Sequence, residues 1–273
     1  MKAYLRNLCA EAKTPLIANH LVREYLQARI LQSLQRAGAM QVLAFHGGTA
    51  LRFLYEISRY SEDLDFALES ESDLYDFRAY LRQIERDFLA EAYTLDFKIS
   101  DKSNVHKAFV RFRGLPYELG LSAHKTEVLA VNLEIDTNPP YGAELVTTIV
   151  QRHVMLNLQH HSRATLFAGK LHAILQRVYP KGRDIFDLWW YLSQTDWPEP
   201  NLNHLNHALQ QSAWTGPALS SNNWRELVRR RVKQINWQEE VIGDVQAFII
   251  EPDWKQHLTK EALLSLLDNS DRS

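Results

Sequence analysis

HGGTAL, residues 46–51, and EDLDFAL, residues 62–68, are the two stretches that decide the fold of this chain. Successive side chains of a strand point to opposite faces, so Asp63 and Asp65 project together from one face. Gly47 and Gly48 permit a tight turn, and a helix that begins at Thr49 would direct its free N–H groups and positive dipole end toward an anion. The two stretches therefore predict a strand–turn–helix–strand unit that brings the turn and both aspartates to one end of a sheet.

This unit has the chemistry of a nucleotide site. Mg²⁺ prefers oxygen ligands and is usually held by one or two carboxylates together with substrate phosphates. Asp63 and Asp65 offer the carboxylates for Mg²⁺ or Mn²⁺, and the glycine turn offers a place for the phosphates of a nucleoside triphosphate. Either motif alone is common as an ordinary turn or a solvated strand, and it is their joint order that favours a site.

Composition limits the possible classes of protein. The chain has 273 residues, a formal net charge of −2 and one cysteine, Cys9. That length can bury a sizeable core, and the near-neutral charge argues against a surface coated for nucleic acid, although a local basic patch would suffice. A single cysteine excludes an internal disulfide and any multi-cysteine zinc site. No apolar run approaches the ~20 residues of a membrane span, so we expect a soluble, cytoplasmic protein with no membrane partner.

Hydrophobic periodicity divides the chain into an α/β part and a helical C-terminal part. The weakest connection is expected at residues 198–223. Predicted helices are residues 16–37, 50–57, 72–93, 163–178, 184–193, 224–235, 238–250 and 260–267; predicted strands are residues 41–45, 63–68, 94–100, 105–112, 127–136 and 144–152.

The strand at residues 127–136 is a source of further carboxylates. Asn132, Glu134 and Asp136 share one face of it, and apolar residues occupy the other. Either Glu134 or Asp136 could therefore join Asp63 and Asp65, although an isolated acidic alternation is more often an ordinary half-exposed strand.

Lys170 and the segment RDIFD, residues 183–187, are the candidate charged groups of the helical part. Helical spacing places Lys170 among apolar neighbours, where a cation needs an anion or must extend to water. Asp184 and Asp187 lie three residues apart on one helix surface, where capping alone could explain one of them. Arg183 could contact phosphate or be solvated.

These motifs resemble those of the DNA polymerase beta-like nucleotidyltransferases, and within them the AbiEii/AbiGii-type toxins of abortive-infection and toxin-antitoxin systems. The resemblance runs from about residue 41 to residue 192 and is carried by GGTALRFLYEISRYSEDLDFAL, VNLEIDTNPP and LFAGKLHAILQRVYPKGRDIFDLWWYL. It implies an α/β (α+β) fold with a polymerase beta-like core and mixed sheet. Residues 1–155 would form that core with N-terminal helices, and residues 156–273 a helical domain.

The resemblance also implies roles for individual residues. Asp63, Asp65 and Glu134 would hold the metal, with Glu134 a better match than Asp136. Gly47, Gly48 and Thr49 would hold the triphosphate, aided by Lys170, Arg59 and Arg183. Asp187 or Asp184 would hold the lysine or the nucleotide. Ser61 would be a site of regulatory phosphorylation.

The implied reaction is Mg²⁺-dependent transfer of a nucleoside monophosphate from an NTP to an acceptor, with release of pyrophosphate. The acceptor implied is the 3′ end of tRNA, and the protein would be a growth-inhibiting toxin with a separate antitoxin partner and a role in phage defence. A protein-modifying nucleotidyltransferase and a non-catalytic nucleotide- or RNA-binding module are the alternatives.

Three other features favour structural roles. His160-His161 lacks acidic or cysteine partners and predicts a surface loop. The basic run at residues 229–233 predicts a solvated helix face or an RNA contact in equal measure. Trp189-Trp190-Tyr191 predicts core packing.

Overall fold

The computed structural model describes residues 2–70, 73–250 and 253–268. The chain divides into two compact units. The first unit comprises the chain up to Glu56, Tyr60–Pro139 and Val146–His160; the second comprises Ile57–Arg59, Pro140–Leu145 and the chain from His161 onward. The expected domain boundary after residue 155 remains a prediction.

A seven-stranded mixed sheet organises the first unit, in the order β3-β4-β5-β2-β1-β7-β6. The mixed sheet confirms the α/β prediction. β2 runs antiparallel to β1 and parallel to β5, whereas β3, β4 and β5 pair antiparallel. The strands are β1 Leu43–His46, β2 Asp63–Leu68, β3 Leu95–Ser100, β4 Val105–Arg113, β5 Val128–Asp136, β6 Leu145–Arg152 and β7 Val154–His161.

One face of this sheet is apolar and buried. On β2, Leu64 and Phe66 are buried while Asp63 and Asp65 are only partly so, as the alternation predicts. The helices of the unit are α1 Lys2–Glu11, α2 Pro15–Arg36, α3 Gly47–Tyr55, α4 Phe77–Ala90 and α5 Leu115–Glu118. α2 contacts α4 and β5, and α4 contacts β3.

Capping residues set the ends of the long helices. Thr14 accepts a hydrogen bond from the amide of Ile17, and Pro15 opens α2 with its φ already helical. The helix predicted over residues 72–93 begins only at Phe77, because Asp76 caps it by accepting from the Ala79 amide. The predicted start at Ser72 lies outside the described residues.

A buried carboxylate joins three elements of the first unit. Glu24 of α2 is 2.7 Å from Arg52 of α3 and 3.0 Å from Arg152 of β6, and His153 lies 3.4 Å away in the β6–β7 turn. Burial raises the pKa of Glu24, but the His153 hydrogen bond and the two guanidinium charges more than offset it and lower the pKa to about 2. Glu24 therefore stays ionised and holds α3, the helix that begins at the glycine turn.

Helices make up most of the second unit, as the sequence predicts. α6 contacts α7, α8 and α9, and α12 packs on α7 and α9. The helices are α6 Arg163–Gln176, α7 Gly182–Ser193, α8 Leu202–Gln211, α9 Trp224–Gln234, α10 Gly243–Val245, α11 Trp254–His257 and α12 Lys260–Asp268. No helix in the described ranges has both the length and the apolar character needed to cross a bilayer.

Three expectations are wrong. His160-His161 is the end of β7 and is buried, not a surface loop; Thr148 Oγ1 lies 2.8 Å from His160 Nε2 and satisfies it. The expected connection at residues 198–223 contains α8. The helix predicted over residues 238–250 is instead a π-helical turn, Trp237–Ile242, followed by the short α10 and an isolated bridge between Ile249 and Arg59.

Candidate functional site

The glycine turn packs directly against Asp65. β1 ends at His46, which pairs with Asp65, and α3 begins at Gly47. Gly47 has a φ of 77°, and a Cβ built on it would lie 2.2 Å from Asp65 Oδ2. Only glycine fits here, because both the left-handed backbone and the close carboxylate exclude a side chain. The turn and the carboxylate therefore form one local structure.

Thr49 is fixed within this turn. Its side chain is completely buried, and its hydroxyl donates to the carbonyl oxygen of Asp63. The hydroxyl therefore secures the strand that carries Asp63, and Thr49 would meet a phosphate through its amide. His46, the N-cap residue of α3, makes no side-chain capping bond, so a ligand oxygen can take that capping position.

The strand register brings Glu134 beside the aspartates. Asp63 of β2 pairs with Asn132 of β5, and Asp65 pairs with Glu134. Asp136 pairs instead with Ala67, further from the glycine turn. The register thus favours Glu134 over Asp136, the alternative that the sequence leaves open.

Glu134 is already engaged on this face. Its Oε1 atom accepts from Lys107 Nζ at 3.0 Å and from Asn132 Nδ2 at 2.7 Å. Within residues 2–70, 73–250 and 253–268, no three His, Cys, Asp or Glu side chains lie close enough together to hold a metal ion. Asp63, Asp65 and Glu134 therefore do not form a closed ligand set in this conformation, in which Glu134 is bonded to Lys107 and Asn132.

The donor atoms nevertheless fit a hard cation. Asp63 and Asp65 present oxygen ligands only, and the buried Oδ1 of Asn132 has no hydrogen-bond partner among the described residues. A buried, unpaired carbonyl oxygen beside carboxylates is an environment that Mg²⁺ or Mn²⁺ can satisfy, directly or through a bound water. Sequence reasoning missed Lys107, whose signal is a polar position in the alternation of β4.

A separate cluster of buried charges lies within the second unit. Lys170 Nζ is 2.9 Å from Asp184 Oδ1 and 2.8 Å from Asp187 Oδ2. Arg59 Nε and Nη2 each donate to Asp187 at 2.6 Å, and Arg177 pairs with Asp184. Both aspartates thus contact Lys170, whereas the sequence offered Asp187 or Asp184 as its partner.

Burial and charge oppose each other in this cluster. Desolvation lowers the pKa of Lys170, but Asp184 and Asp187 outweigh it and the pKa is raised. Desolvation raises the pKa of Asp184, and Lys170 with Arg177 reverses this and lowers it. Lys170 and Asp184 therefore both remain charged at neutral pH.

Two arginines expected to bind nucleotide have structural partners. The Arg59 side chain is 2% exposed and forms two parallel bonds with Asp187. Arg183 packs its guanidinium 4.2 Å from the centre of the Phe248 ring, and its amide donates to Asp244. Their phosphate contacts remain predictions.

The remaining candidates are also accounted for. Ser61 precedes β2, which begins at Asp63, and its carbonyl accepts from Gln27 Nε2 at 3.1 Å. In the basic run, Arg231 donates to the carbonyl oxygens of Arg177 and Val178, which directly follow α6. These hydrogen bonds favour a structural role for Arg231.

Solved structures share this fold. The chain matches a crystal structure from H. pylori that is provisionally described as a nucleotidyltransferase, with a TM-score of 0.53, 19% identity and 92% of each chain covered. It also matches JHP933 from Helicobacter pylori, with a TM-score of 0.51, 19% identity, and 92% of this chain and 89% of that chain covered. No curated protein matches the sequence.

The fold is thus shared with a structure described as a nucleotidyltransferase. The profile of the family "Nucleotidyl transferase AbiEii toxin, Type IV TA system" matches residues 29–260, and the chain belongs to this family. Membership confirms the predicted enzyme class over a non-catalytic binding module, and it implies an NTP substrate and an antitoxin partner.

Proposed function

We propose that the protein transfers a nucleoside monophosphate from an NTP to the 3′ end of tRNA in a Mg²⁺-dependent reaction, and that this modification blocks translation. The observation that carries the proposal is the register that sets Asp65 between His46 and Glu134, with Asp63 two residues away on the same face. This arrangement joins two metal-binding carboxylates to a glycine turn suited to phosphate.

Each residue then has a defined task. Asp63 and Asp65 would hold the metal, which when bound neutralises phosphate charge. Gly47, Gly48 and the amide of Thr49 would bind the triphosphate at the start of α3. Glu134, released from Lys107, would complete the acidic set or accept the proton of the attacking hydroxyl.

Lys170 is proposed to act on the triphosphate by resemblance to the family, although its ammonium is engaged by Asp184 and Asp187 in this structure. Modification of Ser61 is likewise proposed as one route by which an antitoxin could act. A phosphate there would add roughly two negative charges near the carboxylates and oppose triphosphate binding. Ser61→Glu should then impair transfer more than Ser61→Ala.

Incubation of the purified protein with each labelled NTP, total tRNA and cell protein tests the reaction. Label in tRNA, lost after removal of the divalent metal, is expected. Label in protein alone would identify the protein-modifying alternative, and the absence of both label and pyrophosphate release would reject the proposal.

A further inference from the structure

An open groove lies on the polar face of the sheet in the first unit. Lys98 of β3, Phe109 and Arg111 of β4, and Ala130 of β5 line it. These side chains alternate with buried neighbours, such as Ala108 and Val110 on β4, and therefore belong to the same face as the carboxylates.

Strand register connects the groove to the candidate site. Asp63 pairs with Asn132, Asn132 with Phe109, and Phe109 with Lys98. These residues form one row across four adjacent strands. Since neighbouring strands lie about 4.8 Å apart, the backbone of Phe109 is roughly 10 Å from that of Asp63.

The groove offers a ring and cations together. Phe109 is 39% exposed, which is unusual for a large apolar side chain in the middle of a strand. Lys98 is exposed and forms no ion pair with any described residue. Arg111 Nη1 lies 3.0 Å from Asp96 Oδ1, a carboxylate that also pairs with Arg113. An aromatic face flanked by cations is the arrangement that binds single-stranded nucleic acid, because the ring stacks on a base and the cations meet phosphates.

The order of strands decides which substrate the groove can serve. The glycine turn follows β1, on one side of β2, whereas the groove lies beyond β5 on the other side. The attacking and leaving oxygens of a phosphoryl transfer are roughly in line. A triphosphate held at the turn would direct its leaving pyrophosphate toward β1, so the attacking hydroxyl must approach from the side of β5 and β4.

We propose that this groove binds the single-stranded 3′ end of a nucleic-acid acceptor, with a base stacked on Phe109 and the backbone phosphates on Lys98 and Arg111. The inference rests on the proposed function and adds the binding surface for its acceptor. The single-stranded end would lie across β4 and β5 with its terminal hydroxyl at Asp63 and Asp65.

Binding without NTP tests the groove by itself. The probe is a short fluorescein-labelled single-stranded oligoribonucleotide with a free 3′ hydroxyl, measured by anisotropy at several salt concentrations. Phe109→Ala should weaken binding about tenfold or more, and Phe109→Trp should retain it. Lys98→Ala should reduce the slope of log K against log salt by about one.

Tyr117 and Lys125 supply a matched control. Tyr117 is 42% exposed, and the ammonium of Lys125 lies 5.6 Å from the centre of its ring. This pair has the same chemistry but does not line the groove, so Tyr117→Ala and Lys125→Ala should bind the probe as the unmodified protein does. Thermal melting of each variant verifies folding.

Three outcomes would overturn the inference, and a fourth would separate it from the proposed function. Unchanged probe binding by Phe109→Ala would remove the stacking contact. If Phe109→Ala raises the KM for NTP but binds the probe normally, the ring contacts the base of the nucleotide instead. If the unmodified protein labels cell protein and does not bind the probe, the acceptor is a protein. If the unmodified protein binds the probe through Phe109 yet releases no pyrophosphate from any NTP, the proposed function fails while the groove stands.

Discussion

At the scale of single residues, Gly47 is constrained both by its left-handed backbone and by its contact with the Asp65 carboxylate. Gly47→Ala should abolish transfer and destabilise the first unit, because the methyl group would collide with Asp65 Oδ2 in addition to straining a left-handed backbone. Gly120→Ala is the matched control, since Gly120 has a φ of 75° and nothing within 4 Å of its Cβ position. Strain alone costs about 1–2 kcal/mol.

Chemical denaturation of both variants measures the difference. Equal losses of stability and full transfer activity in Gly47→Ala would show that the turn adapts and that its contact with Asp65 is dispensable.

Asp63 and Asp65 are expected to be essential for transfer. Asp63→Asn and Asp65→Asn should each reduce transfer roughly 100-fold or more while the protein stays folded, because an amide keeps the shape but loses the charge that holds the metal. Asp136→Asn should stay active, since Asp136 pairs with Ala67 away from the turn. Initial rates at saturating NTP decide this, and normal turnover by both aspartate variants would contradict the site.

At the scale of elements, the buried ion pairs around Lys170 are expected to stabilise the second unit. The Lys170 side chain is only 13% exposed and pairs with both Asp184 and Asp187. Lys170→Met should destabilise the second unit by about 3 kcal/mol, because it leaves Asp184 and Asp187 buried with fewer cations.

Lys233→Met is the surface control, with an expected change within about 0.5 kcal/mol. Calorimetric unfolding and specific activity per folded molecule are measured together. If the fold is weakened but specific activity is unchanged, Lys170 has no direct role in transfer; if stability is unchanged, the cluster is not a source of stability.

Elements also show why sequence reasoning succeeds in some places and fails in others. β2 and its two aspartates are predicted because alternation is a local property of six residues. β7 is not predicted although Leu156 and Leu158 alternate with polar residues. The next buried position on the same face is His160, and a polar residue there hides the apolar pattern. The structural role of Arg59 is missed because its partner Asp187 lies 128 residues away, and a pairing at that separation leaves no local pattern.

At the scale of the whole molecule, acid should unfold the protein through its buried carboxylates. Glu24 has an ordinary pKa of 4.5 and a folded pKa of about 2. A lowered folded pKa stabilises the protein fully above the unfolded value, and that stability is lost as the pH falls from about 5 toward 2. Glu24 alone would contribute about 3 kcal/mol, and Asp184 acts in the same direction.

Urea unfolding across this pH range provides the measurement. Glu24→Gln should be less stable at neutral pH and show a flatter dependence on acid. Glu118, an exposed partner of Lys2, gives the control Glu118→Gln, which should follow the unmodified curve. A Glu24→Gln curve parallel to the unmodified one would exclude Glu24 as a source of acid sensitivity.

The segment Ile57–Arg59 belongs to the second unit although it lies within the sequence of the first. During translation, Arg59 is therefore synthesised 128 residues before Asp187, a delay of roughly ten seconds at ribosomal speeds of 5–20 residues per second. Until then its guanidinium must remain hydrated on the nascent chain. A polypeptide that stalls before Asp187 cannot complete the ion cluster, so the second unit closes only on chains translated beyond that codon.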